Sequence, residues 1–196
     1  MSGNVLWAYF ADCLNKTSNT FVTNSSLFGK VYFPRLAVPV SILISNLITF
    51  AMQFVFFLLF AAYFALRGAE IRPNLWILAF PLLLLIMAGL GLGLGVLISA
   101  LTTKYRDLRF LISFGVSLLM YATPVIYPAS AVPARFQLFI QLNPVTSLIE
   151  TFRYGFLGSG SVNPWGLLYS FVFMLITVVL GAVVFNRVEA TFMDTV

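Results

Sequence analysis

Two stretches of this chain, Leu36 to Leu66 and Pro73 to Thr103, contain no charged residue. About 20 apolar residues cross the hydrocarbon of a bilayer, so each run is half as long again as one crossing needs. In lipid the backbone must satisfy its own polar groups, which leaves a helix or a closed barrel. Barrel strands alternate apolar and polar residues over about ten positions. These runs do not alternate, so the sequence predicts an all-α integral membrane protein. Composition agrees: 61% of the residues are apolar and 9% are charged. A soluble domain carries about 25% charged residues to cover its surface. An ordinary soluble enzyme, a disordered chain and a nucleic-acid binder are therefore excluded.

The net charge of +5 comes from basic residues set singly or in small groups between apolar runs. That is the arrangement of topology signals rather than of a nucleic-acid surface. The chain has no histidine, which removes His-based acid/base chemistry and His metal sites. Cys13 stands alone, so it forms no internal disulfide or Cys cluster and reads as a small buried apolar residue. No metal site is expected.

The first segment, Val5 to Asn24, is apolar apart from Asp12 and Lys16, which lie four apart with the acid first and can pair on one helix face. It is a partial span that faces a protein interior, or an interfacial helix. No signal peptide is expected at Met1, which lacks a basic n-region and a cleavage site after an apolar run. Phe110 to Tyr127 and Pro164 to Phe185 are further spans. Between them, Arg135 to Gly158 is amphipathic and broken at Asn143-Pro144. Asn suits a helix cap and Pro the first helical position, so a second short helix starts there, ending at Gly155 or Gly158. The expected architecture is a polytopic helical bundle in one membrane domain, 1–196. It has four spans, a partial N-terminal one, and an outer-side re-entrant helical hairpin before the last span.

Lys30, Arg35, Lys104, Arg106, Arg109 and Arg187 fall on one side of this arrangement, and Arg67, Arg72, Arg135 and Arg153 on the other. The excess assigns the first group to the cytoplasm. Trp7, Trp76 and Trp165 then form an outer aromatic belt. Gly89, Gly91, Gly93 and Gly95 lie inside an apolar run without a strand–turn–helix context, so they are no nucleotide loop. They form two overlapping GxxxG pairs suited to close helix packing, with a hinge as the lesser alternative. The connector Lys30-Val31-Tyr32-Phe33-Pro34-Arg35 reads as an interfacial anchor or as a helix that docks on a partner. Tyr105, Arg106, Asp107 and Arg109 form a second basic turn with a local ion-pair cluster. Glu150 and Arg153, three apart, fit a surface salt bridge or a gate at the mouth of a pathway. Tyr121, Tyr127, Tyr154 and Tyr169 suit either sugar rings or interface anchoring.

Several landmarks occur in order: the Lys30–Arg35 connector, Tyr105-Arg106-Asp107-Leu108-Arg109, Thr123-Pro124-Val125-Ile126-Tyr127-Pro128, Leu142-Asn143-Pro144, Glu150-Thr151-Phe152-Arg153-Tyr154, and a terminal Arg187-Val188-Glu189 with Thr191-Phe192-Met193-Asp194. Together they closely resemble the permease subunit of type-2 ABC exporters of cell-surface polysaccharide, the O-antigen, capsule and teichoic-acid exporters. The resemblance covers essentially the whole chain. It implies a six-span permease of the bacterial inner (plasma) membrane that pairs with a second copy as a homodimer and with a cytoplasmic ABC ATPase dimer. The partner uses ATP and Mg, and this chain binds no cofactor and no nucleic acid. Lys30 to Arg35 match the ATPase-coupling segment. Asn143, Pro144, Glu150, Arg153 and Tyr154 match the outer re-entrant gate, and Tyr121, Tyr127 and Tyr169 are possible channel aromatics. The implied substrate is a lipid-linked glycan on an undecaprenyl-type diphosphate. Against the family pattern the sequence begins within the second span, without the N-terminal amphipathic helix and first span. The other readings are an exporter permease for drugs or small lipids, a membrane-embedded enzyme acting on lipid-linked sugars, and a non-functional fragment. No GxxxxGK[ST] motif is present.

Overall fold

The computed structural model describes residues 2–23, 36–69, 71–104 and 107–193. Its regular elements are helical: α1 (Ser2–Ser18), α2 (Thr20–Thr23), α3 (Ala37–Leu66), α4 (Phe80–Lys104), α5 (Leu108–Ala122), α6 (Ala134–Leu142), α7 (Pro144–Leu157) and α8 (Pro164–Met193). Among the described residues there is no strand. A 3-10 turn, Leu75–Ala79, leads directly into α4.

Among the described residues, three stretches are long and apolar enough to cross a membrane: Ala37–Leu66, Leu75–Thr102 and Pro164–Arg187. The expected span at Phe110 to Tyr127 stops earlier. α5 has 15 residues, about 22 Å at 1.5 Å per residue. Thr123 is extended, at ψ 142°, because the ring of Pro124 disfavours helical geometry in the residue before it. The Thr123 hydroxyl then closes the helix by donating to the Leu119 carbonyl at 2.6 Å.

The centre of the bundle is α4, with α1 on one face and α8 on another. Its alternating glycines point both ways. A Cβ on Gly91 would fall 2.8 Å from Cys13 Cβ, and one on Gly95 2.6 Å from Thr17 Cβ, both on α1. A Cβ on Gly89 would fall 2.6 Å from Met174, and one on Gly93 2.7 Å from the Thr177 backbone, both on α8. Residues two apart on a helix lie on nearly opposite faces, so one run of four glycines admits two neighbours at backbone distance. Where they meet, the Thr102 hydroxyl on α4 donates to the Ser18 carbonyl at the end of α1, at 2.9 Å.

α1 is largely enclosed, with 11 of its 17 residues buried. Trp7, expected in an outer aromatic belt, is 4% exposed and packs on Phe10. It is a core residue, because α3, α4 and α7 surround α1. Trp76 and Trp165 are exposed. α3, by contrast, buries only Pro39, Asn46, Phe50 and Phe57. Its exposed Ile44, Ile48, Phe56, Leu59 and Phe64 suit contact with lipid rather than water. Towards the C-terminal half of α3, Phe54, Phe57, Phe80, Phe152 and Phe156 form one aromatic cluster joining α3, α4 and α7, with centroids as close as 4.6 Å. Such tilted and offset contacts contribute beyond area burial.

Gly95→Val forces α1 and α4 apart and is expected to cost about 1–3 kcal/mol, as overpacking does. Gly115→Ala, where nothing lies within 4 Å of the added methyl, is expected to be neutral or slightly stabilising. Thermal unfolding of the purified variants in detergent checks both.

Candidate functional site

Every residue of α1 that is not buried lies on one stripe: Asn4, Ala8, Ala11, Asp12, Asn15 and Lys16. Asn19 and Thr23 extend it. The spacings of three and four residues keep it on one side of the helix. From Asn4 to Thr23 it runs about 28 Å, close to the thickness of the hydrocarbon core. The stripe is polar apart from two alanines, whereas the enclosed faces carry Val5, Leu6, Trp7, Tyr9, Phe10, Cys13 and Leu14 along their length, with Ser2, Thr17 and Ser18 buried at the two ends. Helices entirely surrounded by protein are apolar all round. A polar stripe on an otherwise enclosed helix is what one wall of a hydrophilic path requires.

Asp12 and Lys16 share the stripe, but the described hydrogen bond of Lys16 goes elsewhere. Its ammonium donates to Asn46 Oδ1 on α3 at 2.6 Å, and Asn46 Nδ2 reaches Cys13 Sγ at 3.5 Å. Asn46 is 2% exposed in the middle of an apolar helix, and this pairing satisfies it. Sequence reasoning passed over Asn46. An Asn within a charge-free run was the available signal, since polar side chains at membrane depth face protein partners. Beside Lys16, an open cleft of about 850 Å³ separates the end of α1 from the starts of α3 and α5.

At the opposite end, α7 supplies a second polar centre. Glu150 and Arg153 are buried rather than on a surface, with Arg153 Nη1 donating to Glu150 Oε1 at 2.8 Å. The guanidinium also donates to the carbonyls of Pro124 and Val125, each at 3.1 Å, and of Tyr127 at 3.3 Å. Glu150 Oε1 accepts the Ala129 N–H at 3.3 Å. The loop after α5 contains Pro124 and Pro128 and has no ladder of its own, so this ion pair holds its backbone. Gly3, at the start of α1, is packed on the same loop. A Cβ there would fall 2.6 Å from the Val125 carbonyl oxygen.

Asn143 caps α7 by accepting the Val145 N–H at 3.0 Å, ahead of Pro144 at the first helical position. Its Nδ2 donates to Thr123 Oγ1 at 2.7 Å, tying this cap to the end of α5. At the other end of α7, Gly158 adopts φ 70°, the left-handed conformation that terminates many helices. Asn74 Nδ2 donates to the Tyr154 carbonyl at 3.1 Å, and the Asn74 N–H to that of Gly155 at 3.1 Å. The last carbonyls of α7 are therefore satisfied from the turn before α4.

The tyrosines serve the same region. Tyr127 donates its hydroxyl to the Tyr121 carbonyl at 2.9 Å, and Tyr169 to the Leu142 carbonyl at 2.9 Å. Tyr121 and Tyr169 are exposed, and Tyr127 and Tyr154 are half-buried. Asp107 is exposed at the start of α5, where Arg109 follows in the first turn. Tyr105 and Arg106 lie outside the described residues, as does the Lys30-Val31-Tyr32-Phe33-Pro34-Arg35 connector. Among the described residues no group of three His, Cys, Asp or Glu side chains could hold a metal.

Residues 3–157 match the family model described as ABC-2 type transporter. Two proteins of Klebsiella pneumoniae named O-antigen export system permease protein RfbA are each 25% identical to this chain. The alignments cover 99% of the chain and 73% of each relative. A Myxococcus xanthus protein of the same name is 27% identical over 77% of this chain and 57% of its own length.

Arg153→Met strands the Glu150 carboxylate and three loop carbonyls, and is expected to cost about 3–5 kcal/mol, as removing one partner of a buried ion pair does. Arg153→Lys recovers only part of this, because one ammonium does not span the forked set of acceptors that a guanidinium reaches. Thermal unfolding of the two variants beside the parent gives the comparison.

Proposed function

Because the chain belongs to the ABC-2 type transporter family, we propose that it is the membrane-spanning permease subunit of an ATP-driven exporter of surface polysaccharide, of the O-antigen type. The similarity to O-antigen export permeases over nearly the whole chain supports the substrate class. It is a multi-pass membrane protein. The observation that carries the mechanism is the polar stripe of α1, from Asn4 to Thr23. A glycan is polar along its whole length and needs a hydrated wall to cross hydrocarbon. Asn, Asp and Lys side chains offer the donors and acceptors that such a wall exchanges with sugar hydroxyls.

The stripe makes one side of a path, and a second copy of the permease supplies the facing side. The α5 surface carrying Phe110, Phe114, Leu118 and Tyr121 stands exposed beside it. Aromatic rings there present faces to the apolar sides of sugar rings. The loop clamped by Arg153, with Tyr127 and the α6–α7 pair, forms the outer gate. Energy enters at the other end. A separate ATPase docks on the connector Lys30 to Arg35 and on the turn around Tyr105, Arg106, Asp107 and Arg109. It hydrolyses ATP with Mg, so no cofactor is bound by this chain. The ATPase shifts the permease only by its differential contact with the two states. The substrate is the glycan linked to a polyprenyl-type lipid diphosphate.

Two measurements test this reading. Single cysteines at Asn4, Ala8 and Asn15 are expected to react with a membrane-impermeant maleimide, while cysteines at Leu6 and Phe10 stay unreactive. Equal labelling of both sets would remove the path from α1. The paired change Tyr32→Ala with Arg35→Glu is expected to lower ATPase co-purification and surface glycan while membrane insertion persists. Normal export by that inserted variant would exclude the connector as the coupling point.

A further inference from the structure

α3 is held to the bundle by few groups. Its buried residues are Pro39, Asn46, Phe50 and Phe57, and α1 is the helix it packs on most. Asn46 is the polar one of the four, 2% exposed within an apolar helix. Burying an amide away from water is unfavourable unless both its ends are bonded. Here both ends go to α1. Nδ2 reaches Cys13 Sγ at 3.5 Å, and Oδ1 accepts from the Lys16 ammonium at 2.6 Å. The seam continues one turn further. The Tyr9 hydroxyl reaches the Leu43 carbonyl at 3.5 Å, and the Tyr9 ring meets Phe50 edge-on at 5.3 Å. Leu43, Asn46 and Phe50 thus face Tyr9, Cys13 and Lys16, at spacings of three and four residues on both helices. The seam between α1 and α4 is of another kind. Gly91 and Gly95 present bare backbone to α1, and the Thr102–Ser18 bond lies at its far end.

We propose that Asn46 is a positioning residue for transport: through Cys13 and Lys16 it ties the polar stripe of α1 to α3, so that movement at the start of α3 moves the stripe. The inference rests on the permease reading, which brings the ATPase to the connector ahead of α3. α3 begins at Ala37, two residues after Arg35, and Asn46 stands about 14 Å along it. A helix displaced at one end carries its neighbour only through contacts that resist sliding. Apolar contacts in lipid resist little, because another apolar group replaces each at small cost. A buried amide has no substitute partner away from water. The two helices therefore move together or break both Asn46 bonds. Lys16 itself belongs to the stripe and is exposed, so the displacement arrives directly at the wall of the path.

The test is the full chain with its ATPase in proteoliposomes, with ATP hydrolysis and glycan export measured side by side. Asn46→Leu is close in size, suits an apolar helix and leaves the exposed Lys16 ammonium to water; an unchanged melting temperature verifies the fold. Glycan exported per ATP hydrolysed is expected to fall about tenfold, within the range by which residues carrying coupling between distant sites act. Hydrolysis is expected to stay near the parent rate, because the ATPase contact is untouched. Lys16→Met breaks the same contact from α1, at an exposed position, and is expected to lower the ratio similarly. The double variant is expected to be no worse than Asn46→Leu, since one contact is lost once. Asn46→Asp keeps an acceptor for Lys16 and is expected to restore the ratio. A parental ratio in Asn46→Leu, hydrolysis and export falling in proportion, or losses that multiply in the double variant overturns the proposal. Glycan export by the wild-type chain with its ATPase, measured separately, reports on the permease reading and not on Asn46.

Discussion

Between helices in lipid the hydrophobic effect offers little, because an acyl chain is as apolar as leucine. Association rests on close packing and on polar contacts that lipid cannot replace. In this bundle that packing is concentrated in α4. Gly91 and Gly95 admit α1, while Gly89 and Gly93 admit α8. The remaining contacts depend on those separations. The Thr102–Ser18 hydrogen bond spans α4 and α1 only because the backbones nearly touch. Seating α1 on that face also sets its rotation, which turns Asn4, Asp12, Asn15 and Lys16 away from the protein core. The direction of the polar stripe is thus a consequence of where glycine is placed on a different helix.

The second constraint is that irregular backbone buried inside the bundle must find polar partners. The structure meets it with a few polar side chains, each serving several groups. Arg153 holds three carbonyls of the loop after α5 and is itself neutralised by Glu150. Asn143 caps one helix and binds the end of another. Asn74 closes the far end of α7. Because these bonds share residues, moving the α6–α7 pair means exchanging them together. Among the described residues, Glu150 and Arg153 are placed where backbone regularity fails, and Asp12 and Lys16 lie along the stripe.

Much of the local structure was legible without coordinates. The charge-free runs became α3, α4 with its preceding turn, and α8. Asn143-Pro144 started a helix and Gly158 ended one, since capping depends on neighbours within a few residues. The connector with Lys30 to Arg35 lies outside the described residues, so its reading rests on the family. Other features were misjudged because they depend on a partner distant in the chain. Trp7 looks like an interface anchor until α1 is enclosed. Glu150 and Arg153, at three-residue spacing, look like a surface pair until the loop from Pro124 to Ala129 covers them. Asp12 and Lys16 share one helix face as their spacing implies, but the Lys16 ammonium donates to Asn46 on another helix.

By itself, then, the sequence determined that this is a helical membrane protein, where its long apolar helices run, where its caps fall and which family it resembles. Those properties follow from hydropathy over about 20 residues and from capping over three or four. Tertiary structure alone decided which face of α1 stays open, which charges are buried and where the cleft lies. The physical reason is range. Burial and ion pairing are set by groups that meet in space across tens of residues, and helix periodicity reports only on neighbours one turn away.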